Sequence, residues 1–161
     1  ILIDAMKILS KNPKTANIKL LIAGEFYDNR TTYDEQIIKT GIGDQLIMHT
    51  NFIKDNEVKY YVCAADVVVQ PYRNATQSGV TPLAYHFEVP MIVTAVGGLP
   101  AMVPDGKAGL VAEPNALSIA EKINEYFQKG ENYFLPYLLE EKKKLSWARM
   151  TEGILELANN N

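Results

Sequence analysis

The sequence predicts an α/β fold, a doubly wound parallel sheet with extra helices toward its C-terminal end. Three observations carry that prediction. Short apolar runs of strand length alternate with stretches of helical periodicity through residue 128, and then helical patterns follow. The runs are unbroken rather than alternating, as strands buried on both faces require. Within residues 65–101, two successive strand-to-loop junctions carry the polar and glycine residues, and ligands of such sheets sit beyond the carboxyl ends of the strands. A chain of 161 residues with no linker, repeat or low-complexity segment reads as one domain spanning 1–161.

The elements follow in order. Residues 1–9 have helical spacing, with Leu2, Ala5, Met6 and Leu9 on one face. No cap precedes them, as expected of a chain cut from a longer one. Residues 18–23 (IKLLIA) form a buried strand ended by Gly24. Thr32-Tyr33-Asp34-Glu35 fits a capping box, and Gly41 is the C-cap of the helix it opens. Residues 45–48 are a short strand. Asp55 is placed to cap a helix in which Val58, Tyr61, Val62 and Ala65 share a face.

The run Val67-Val68-Val69 is the next strand, residues 70–78 a polar loop, and residues 79–88 a helix with Val80, Leu83, Ala84 and Phe87 together. Met91 to Thr94 is another strand, broken by Gly97-Gly98. Residues 109–112 make the last strand. Asn115 caps a helix with the face Ile119, Ala120, Ile123 and Phe127. Two helices follow, over 131–144 with Pro136 inside it and over 147–158, and the last three asparagines fray.

Composition excludes several classes. The chain is 47% hydrophobic and 22% charged, an ordinary globular mixture. Its net charge of −3 provides no general field for nucleic acid. The basic run Lys142-Lys143-Lys144 follows Glu140-Glu141 and reads as a solvated helix face. No apolar run approaches the ~20 residues that span a bilayer. The single cysteine, Cys63, permits no internal disulfide, fits a reducing, cytoplasmic setting, and reads as buried filler in an apolar helix. Asn74-Ala75-Thr76 matches a glycosylation sequon by chance.

The strongest chemical signal is Thr76-Gln77-Ser78-Gly79-Val80-Thr81, between a strand and a helix. Ser78 is suited to N-cap the helix, Gly79 to let a ligand approach the backbone, and Pro82 falls where a missing N–H costs little. Unpaired N–H groups at such a junction favour an anion such as a nucleotide diphosphate, whereas the bland alternative is an ordinary βα turn. Arg73 sits within reach of a phosphate or is simply exposed. Gly97 and Gly98 either bring backbone near a ligand or only turn the chain. Glu25, after Gly24, is placed to accept from a sugar or is merely solvated. Neither GxGxxG nor a Walker A lysine is present. His49 and His86 lack acidic partners at motif spacing, so no metal site or nucleophilic triad is expected, and Asp66 reads as structural.

The segments 64–71 (AADVVVQP) and 89–100 (VPMIVTAVGGLP), with the loop and helix between them, resemble the C-terminal half of family-four, group 1 glycosyltransferases of the GT-B fold. The resemblance extends to residues 18–24, 51–53 and 106–111 and covers nearly the whole chain. It implies a Rossmann-like donor domain whose parent transfers a hexose-type sugar, with retention, from a nucleotide diphosphate to a glycan or lipid-linked acceptor. It implies no cofactor and no metal at the diphosphate. The acceptor would be held by an N-terminal domain outside this sequence, so the fragment alone is expected to be inactive. Carried over by position, Phe52 and Ile53 meet the base, residues 77–81 meet the diphosphate, and Gly24 lies beside the donor. The setting implied is polysaccharide assembly, with peripheral membrane association of the parent allowed.

Departures accompany the resemblance. The family's two glutamates fall at Ala75 and Leu83, and the acidic residue after Gly-Gly-Leu-Pro falls at Ala101. The catalytic residues are therefore unassigned. A non-catalytic binding module derived from this domain, or half of a nucleotide-sugar 2-epimerase, remain as alternatives. The family also places a strand just ahead of a helix like that of residues 1–9. In the strand order 3-2-1-4-5-6 that strand is central. Without it, strands 18–23 and 67–70 should face an empty slot, open to repacking, to self-association with another chain, or to sequence outside these 161 residues. Direct pairing of those two strands would refute the slot.

Overall fold

A computed structural model describes residues 1–26 and 29–145, together with Arg149, Thr151, Glu152, Leu155, Glu156 and Ala158. Those six are helical, within the helix expected over 147–158, whose other residues lie outside the described ones, as do the terminal asparagines.

The elements run α1 (Leu2–Leu9), β1 (Leu20–Ala23), α2 (Arg30–Thr40), β2 (Leu46–His49), α3 (Asp55–Cys63), β3 (Val68–Gln70), α4 (Val80–His86), β4 (Met91–Thr94), α5 (Leu99–Met102), β5 (Gly109–Ala112), α6 (Ala116–Lys129) and α7 (Glu131–Lys144). All strand pairs are parallel, and they form two groups, β1-β2 and β3-β4-β5. Placed side by side, these give the doubly wound order with one position vacant between β1 and β3. Residues 18–23 and 67–70 do not pair, so the expected slot is present.

The strands show what that vacancy does. β4 is paired on both sides, and all four of its residues are buried. Burial of Met91, Ile92 and Val93 contributes roughly 1.5–3 kcal/mol each. β1 (LLIA) is just as apolar, yet none of its residues is fully buried, and among the described residues it pairs with β2 alone.

Two apolar clusters surround the sheet. One joins Ile3, Met6 and Leu9 of α1 to Ile92, Leu110, Ile119, Ile123, Tyr126 and Phe134. The other joins Ala84 and Tyr85 of α4 to Met91, Val93, Leu99, Val103 and Leu138. Tyr126 stacks on Phe134, and its hydroxyl donates to the Asp66 carbonyl.

Several local expectations shift. The N-cap of α2 is Asn29, whose side chain accepts from Thr31 N–H at 3.0 Å, so residues 32–35 lie inside the helix and form no capping box. Gly41 ends that helix in the left-handed region as expected. Lys54, not Asp55, is the N-cap of α3, and Asp55 serves in the first turn. Asn115 caps α6, accepting from Ser118 N–H. In α6, Tyr126 rather than Phe127 completes the buried face. In α4 the buried residues are Thr81, Ala84 and Tyr85, a rotation from the expected face that leaves Val80 37% exposed. Cys63 is exposed, on a helix that buries none of its residues. The basic run is less free than expected. Lys142 bonds Glu88 at 2.7 Å and the His86 carbonyl at 2.9 Å, fastening α7 to the end of α4. Glu88 itself has φ 62, the left-handed turn between α4 and β4.

Burial pushes the Tyr126 hydroxyl up to about 12, aided by the negative charges of Glu131 and Asp66. The folded state thus holds the proton more tightly than the unfolded chain, in which a tyrosine titrates near 10. Stability should be full below pH ~10 and fall as the pH rises through ~12, a limb that Tyr126→Phe should shallow in urea titrations run at stepped pH.

Candidate functional site: the loops beyond the strand ends

Because β3, β4 and β5 are parallel, the loops 71–79, 95–98 and 113–115 leave one edge of the sheet. β1 and β2 likewise send residues 24–26 and 50–54 from a shared edge. The residues expected to form a site lie on these loops, apart from Val80 and Thr81, which open α4.

Loop 71–79 is fastened from below. Thr94, at the end of β4, donates to the Tyr72 carbonyl at 2.7 Å. Thr81, fully buried in α4, donates to Oε1 of Gln70 at 3.1 Å. Across the loop, the Tyr72 and Ser78 hydroxyls bond at 3.2 Å. Gln70, Ser78, Thr81 and Thr94 are all buried, an unusual concentration of polar groups for the end of an apolar sheet. Among the described residues, Gln70 Nε2 is buried without a partner.

From the side the loop is held by the glycine pair. The Gly98 N–H donates to the Thr76 carbonyl at 3.0 Å. A Cβ on Gly97, at φ 52, would lie 1.6 Å from the Ala75 carbonyl oxygen, and one on Gly98 would lie 2.8 Å from that of Thr76. The glycines are thus required for backbone-to-backbone contact with loop 71–79. The sequence offered ligand approach or a plain turn for them, and neither describes this packing role.

The sequence-predicted residues divide as follows. Gly24 (φ 121) ends β1, with its N–H donating to the His49 carbonyl at 2.9 Å. Glu25 is exposed, Ile53 half-buried, and Phe52 67% exposed, a large aromatic face open to solvent. Arg73, Thr76, Gln77, Gly79 and Val80 are exposed. Ser78 and Thr81 are not. The Thr81 side chain is committed to Gln70, so it is not available to a ligand. Ser78 is not the N-cap, which is Gly79, yet its hydroxyl still accepts from Val80 N–H at 3.2 Å. The Thr81 N–H is also used, by the Ser78 carbonyl. The backbone N–H groups of Gln77, Ser78 and Gly79 have no acceptor among the described residues. No group of three or more His, Cys, Asp or Glu side chains suited to a metal ion occurs among the described residues.

Residues 1–129 match the family described as glycosyl transferases group 1. The chain belongs to this family. A D-inositol 3-phosphate glycosyltransferase of Mycolicibacterium gilvum (strain PYR-GCK) is 30% identical over 118 residues, covering 71% of this chain and 26% of that protein. Among solved structures, Alr3699/HepE of Anabaena, crystallised with UDP, aligns with a TM-score of 0.80 at 19% identity over 99% of this chain and 44% of its own. The C-terminal domain of LpcC, a group 1 family glycosyl transferase of Francisella tularensis, aligns with a TM-score of 0.72 at 18% identity over 88% of this chain and 73% of its own. These likenesses establish the GT-B, Rossmann-like architecture of a group 1 glycosyltransferase C-terminal domain. The chain spans about a quarter of the curated relative and under half of HepE.

The residues that sequence reasoning missed are Gln70, Tyr72 and Thr94. The available signal was polarity out of place, a glutamine and a threonine at the ends of otherwise apolar strands.

Gly97→Ala should destabilise the chain by about 2–4 kcal/mol, since it adds both a clash and a left-handed strain. Urea unfolding checks this, and Gly79→Ala, whose added Cβ meets nothing within 4 Å, serves as the control.

Proposed function

We propose that this chain is the donor-nucleotide domain of a retaining glycosyltransferase, and that residues 76–80 seat the diphosphate of a nucleotide sugar. The observation that carries the reading is the run of three backbone N–H groups at Gln77, Ser78 and Gly79 that no acceptor among the described residues uses. Each such N–H bonded to a phosphate oxygen contributes about 1.5–3 kcal/mol, and the loop bearing them is already fixed, so little ordering cost is added. Arg73 adds a positive charge on the same loop. Phe52 and Ile53 offer an apolar seat for the base, and Gly24, without a Cβ, leaves room beside the donor, with Glu25 next to it for a sugar hydroxyl. Family membership supports the reading, as do the structures of HepE with UDP and with UDP-glucose.

On this reading no metal is needed, because backbone donors and Arg73 neutralise the diphosphate. The acceptor is bound by a part of the protein outside these residues, so this chain binds donor but does not transfer by itself.

A second reading is favoured by Ala75, Leu83 and Ala101, whose side chains accept no hydrogen bond. It makes the domain a binding module without transfer. Two measurements separate the readings. In ¹⁵N NMR titrations with UDP and with GDP, shifts should gather at Gly24, Phe52 and residues 76–80, and shifts confined to other surfaces would overturn the site. Release of nucleotide diphosphate from a nucleotide sugar by the full-length protein would then exclude the non-catalytic module.

A further inference from the structure

Nε2 of Gln70 carries two donor hydrogens and, among the described residues, is the one buried side-chain nitrogen or oxygen without a partner. The residue is 2% exposed. Its backbone is fixed, since it closes β3, pairs with Val93 of β4 and is followed by Pro71. Its side chain is fixed at one point as well, because Oε1 accepts from the Thr81 hydroxyl at 3.1 Å. An amide so placed neither reaches solvent nor is satisfied where it stands. A buried donor without an acceptor is a cost that folded proteins rarely carry, so an acceptor has to come to it.

The turn against it shows where that acceptor comes from. The Thr81 N–H donates to the Ser78 carbonyl, so the amide of Gln70 lies against the turn of residues 78–81. Loop 71–79 is held on either side of Gln77. Thr76 is held through its carbonyl by the Gly98 N–H, and Ser78 through its hydroxyl by Tyr72 and through its carbonyl by Thr81. Between them, Gln77 uses neither its N–H nor its carbonyl among the described residues. The carbonyls of Tyr72, Thr76 and Ser78 already accept. The Gln77 carbonyl is therefore the free acceptor that adjoins the turn bonded to Gln70.

That carbonyl and the Ser78 N–H belong to one planar peptide group and point to opposite sides of it. Gln70 lies at the end of the sheet, so turning the Gln77 carbonyl onto Nε2 aims the Ser78 N–H away from the sheet. That is the side from which a ligand of these loops arrives. Each of the two hydrogen bonds polarises the peptide in favour of the other. We propose that Gln70 is a positioning residue for the diphosphate seat: Nε2 takes the Gln77 carbonyl as its acceptor when a phosphate oxygen takes the Ser78 N–H. This rests on the reading of residues 76–80 as that seat. Gln70 itself touches no ligand, since Nε2 is buried. It acts by holding one peptide in the orientation that binds, while the rest of the loop keeps its place.

NMR of the ¹⁵N-labelled full-length protein, titrated with UDP and with GDP, tests this. The side-chain amide of Gln70 is assigned by its loss in Gln70→Met. Without nucleotide its proton pair should resonate upfield, as an amide without an acceptor does, and with nucleotide it should move downfield together with the Ser78 N–H. A pair already downfield in the free protein would show an acceptor in place, water or protein, and overturn the proposal. Shifts at Gln77–Gly79 with the Gln70 pair unmoved would overturn it and leave the seat intact. No shift at Gln77–Gly79 with either nucleotide would overturn the seat and the proposal together. Gln70→Met keeps length and bulk without the donor. It should hold or raise Tm, because an unpaired buried donor is removed, yet weaken the nucleotide that shifts the wild type by about tenfold, the worth of one hydrogen bond. Unchanged affinity, or weaker affinity together with a lowered Tm, overturns the positioning role.

Discussion

Parallel pairing of β4 on both of its sides is the constraint on which the rest of the molecule depends. Among the described residues, only there is backbone bonding complete across three adjacent strands, and only there does a strand bury every residue. The two apolar clusters meet at this strand, with Ile92 facing one and Met91 and Val93 the other. Its last residue, Thr94, passes that rigidity to the loop above by donating to Tyr72. A central strand in this fold is both the floor of the core and the anchor of the site.

The loop chemistry follows from that anchoring. A flexible loop with free N–H groups would have to be ordered by its ligand and would lose affinity in doing so. Here Thr94, Thr81 and Gln70 hold the loop from the sheet, Tyr72 and Ser78 brace it across, and Gly98 holds it from the next loop. Among the described residues, the buried polar side chains are partnered apart from one nitrogen of Gln70. The outward result is that Thr76, Gln77 and Gly79 stay exposed while the residues fixing them do not.

The fold class and the parallel order were legible in the sequence because they depend on long-range patterns, namely apolar run lengths and their alternation, whereas the vacant position followed from the resemblance, which places a strand ahead of a helix like that of residues 1–9. The helix over 131–144 was legible to the residue. What was not legible is local and depends on neighbours. Asn29 and Thr32 are both good caps, and only the chain's path into α2 selects the former. Cys63 looks like core in an apolar helix, yet that helix buries none of its residues. Gly97 and Gly98 read as a ligand approach or a plain turn, and the carbonyl oxygens they lie against are some twenty residues away in sequence. Thr81 looked available for binding because its bond to Gln70 spans two elements.

The vacant position also governs cooperativity. Among the described residues, no strand-to-strand ladder joins the β1-β2 pair to the β3-β4-β5 group. The two are coupled instead through side chains, chiefly α1 lying on α6 within a shared apolar cluster. Side-chain contacts of this kind loosen more gradually than a hydrogen-bonded ladder, so the two groups are distinct units of local unfolding. The β1-β2 unit, with its half-buried strands, opens at the lower free energy. The loops that carry Gly24 and Phe52 belong to that softer unit, whereas loop 71–79 belongs to the firmer one. A ligand held by both would act as a clasp, tying together two halves that the backbone leaves separate.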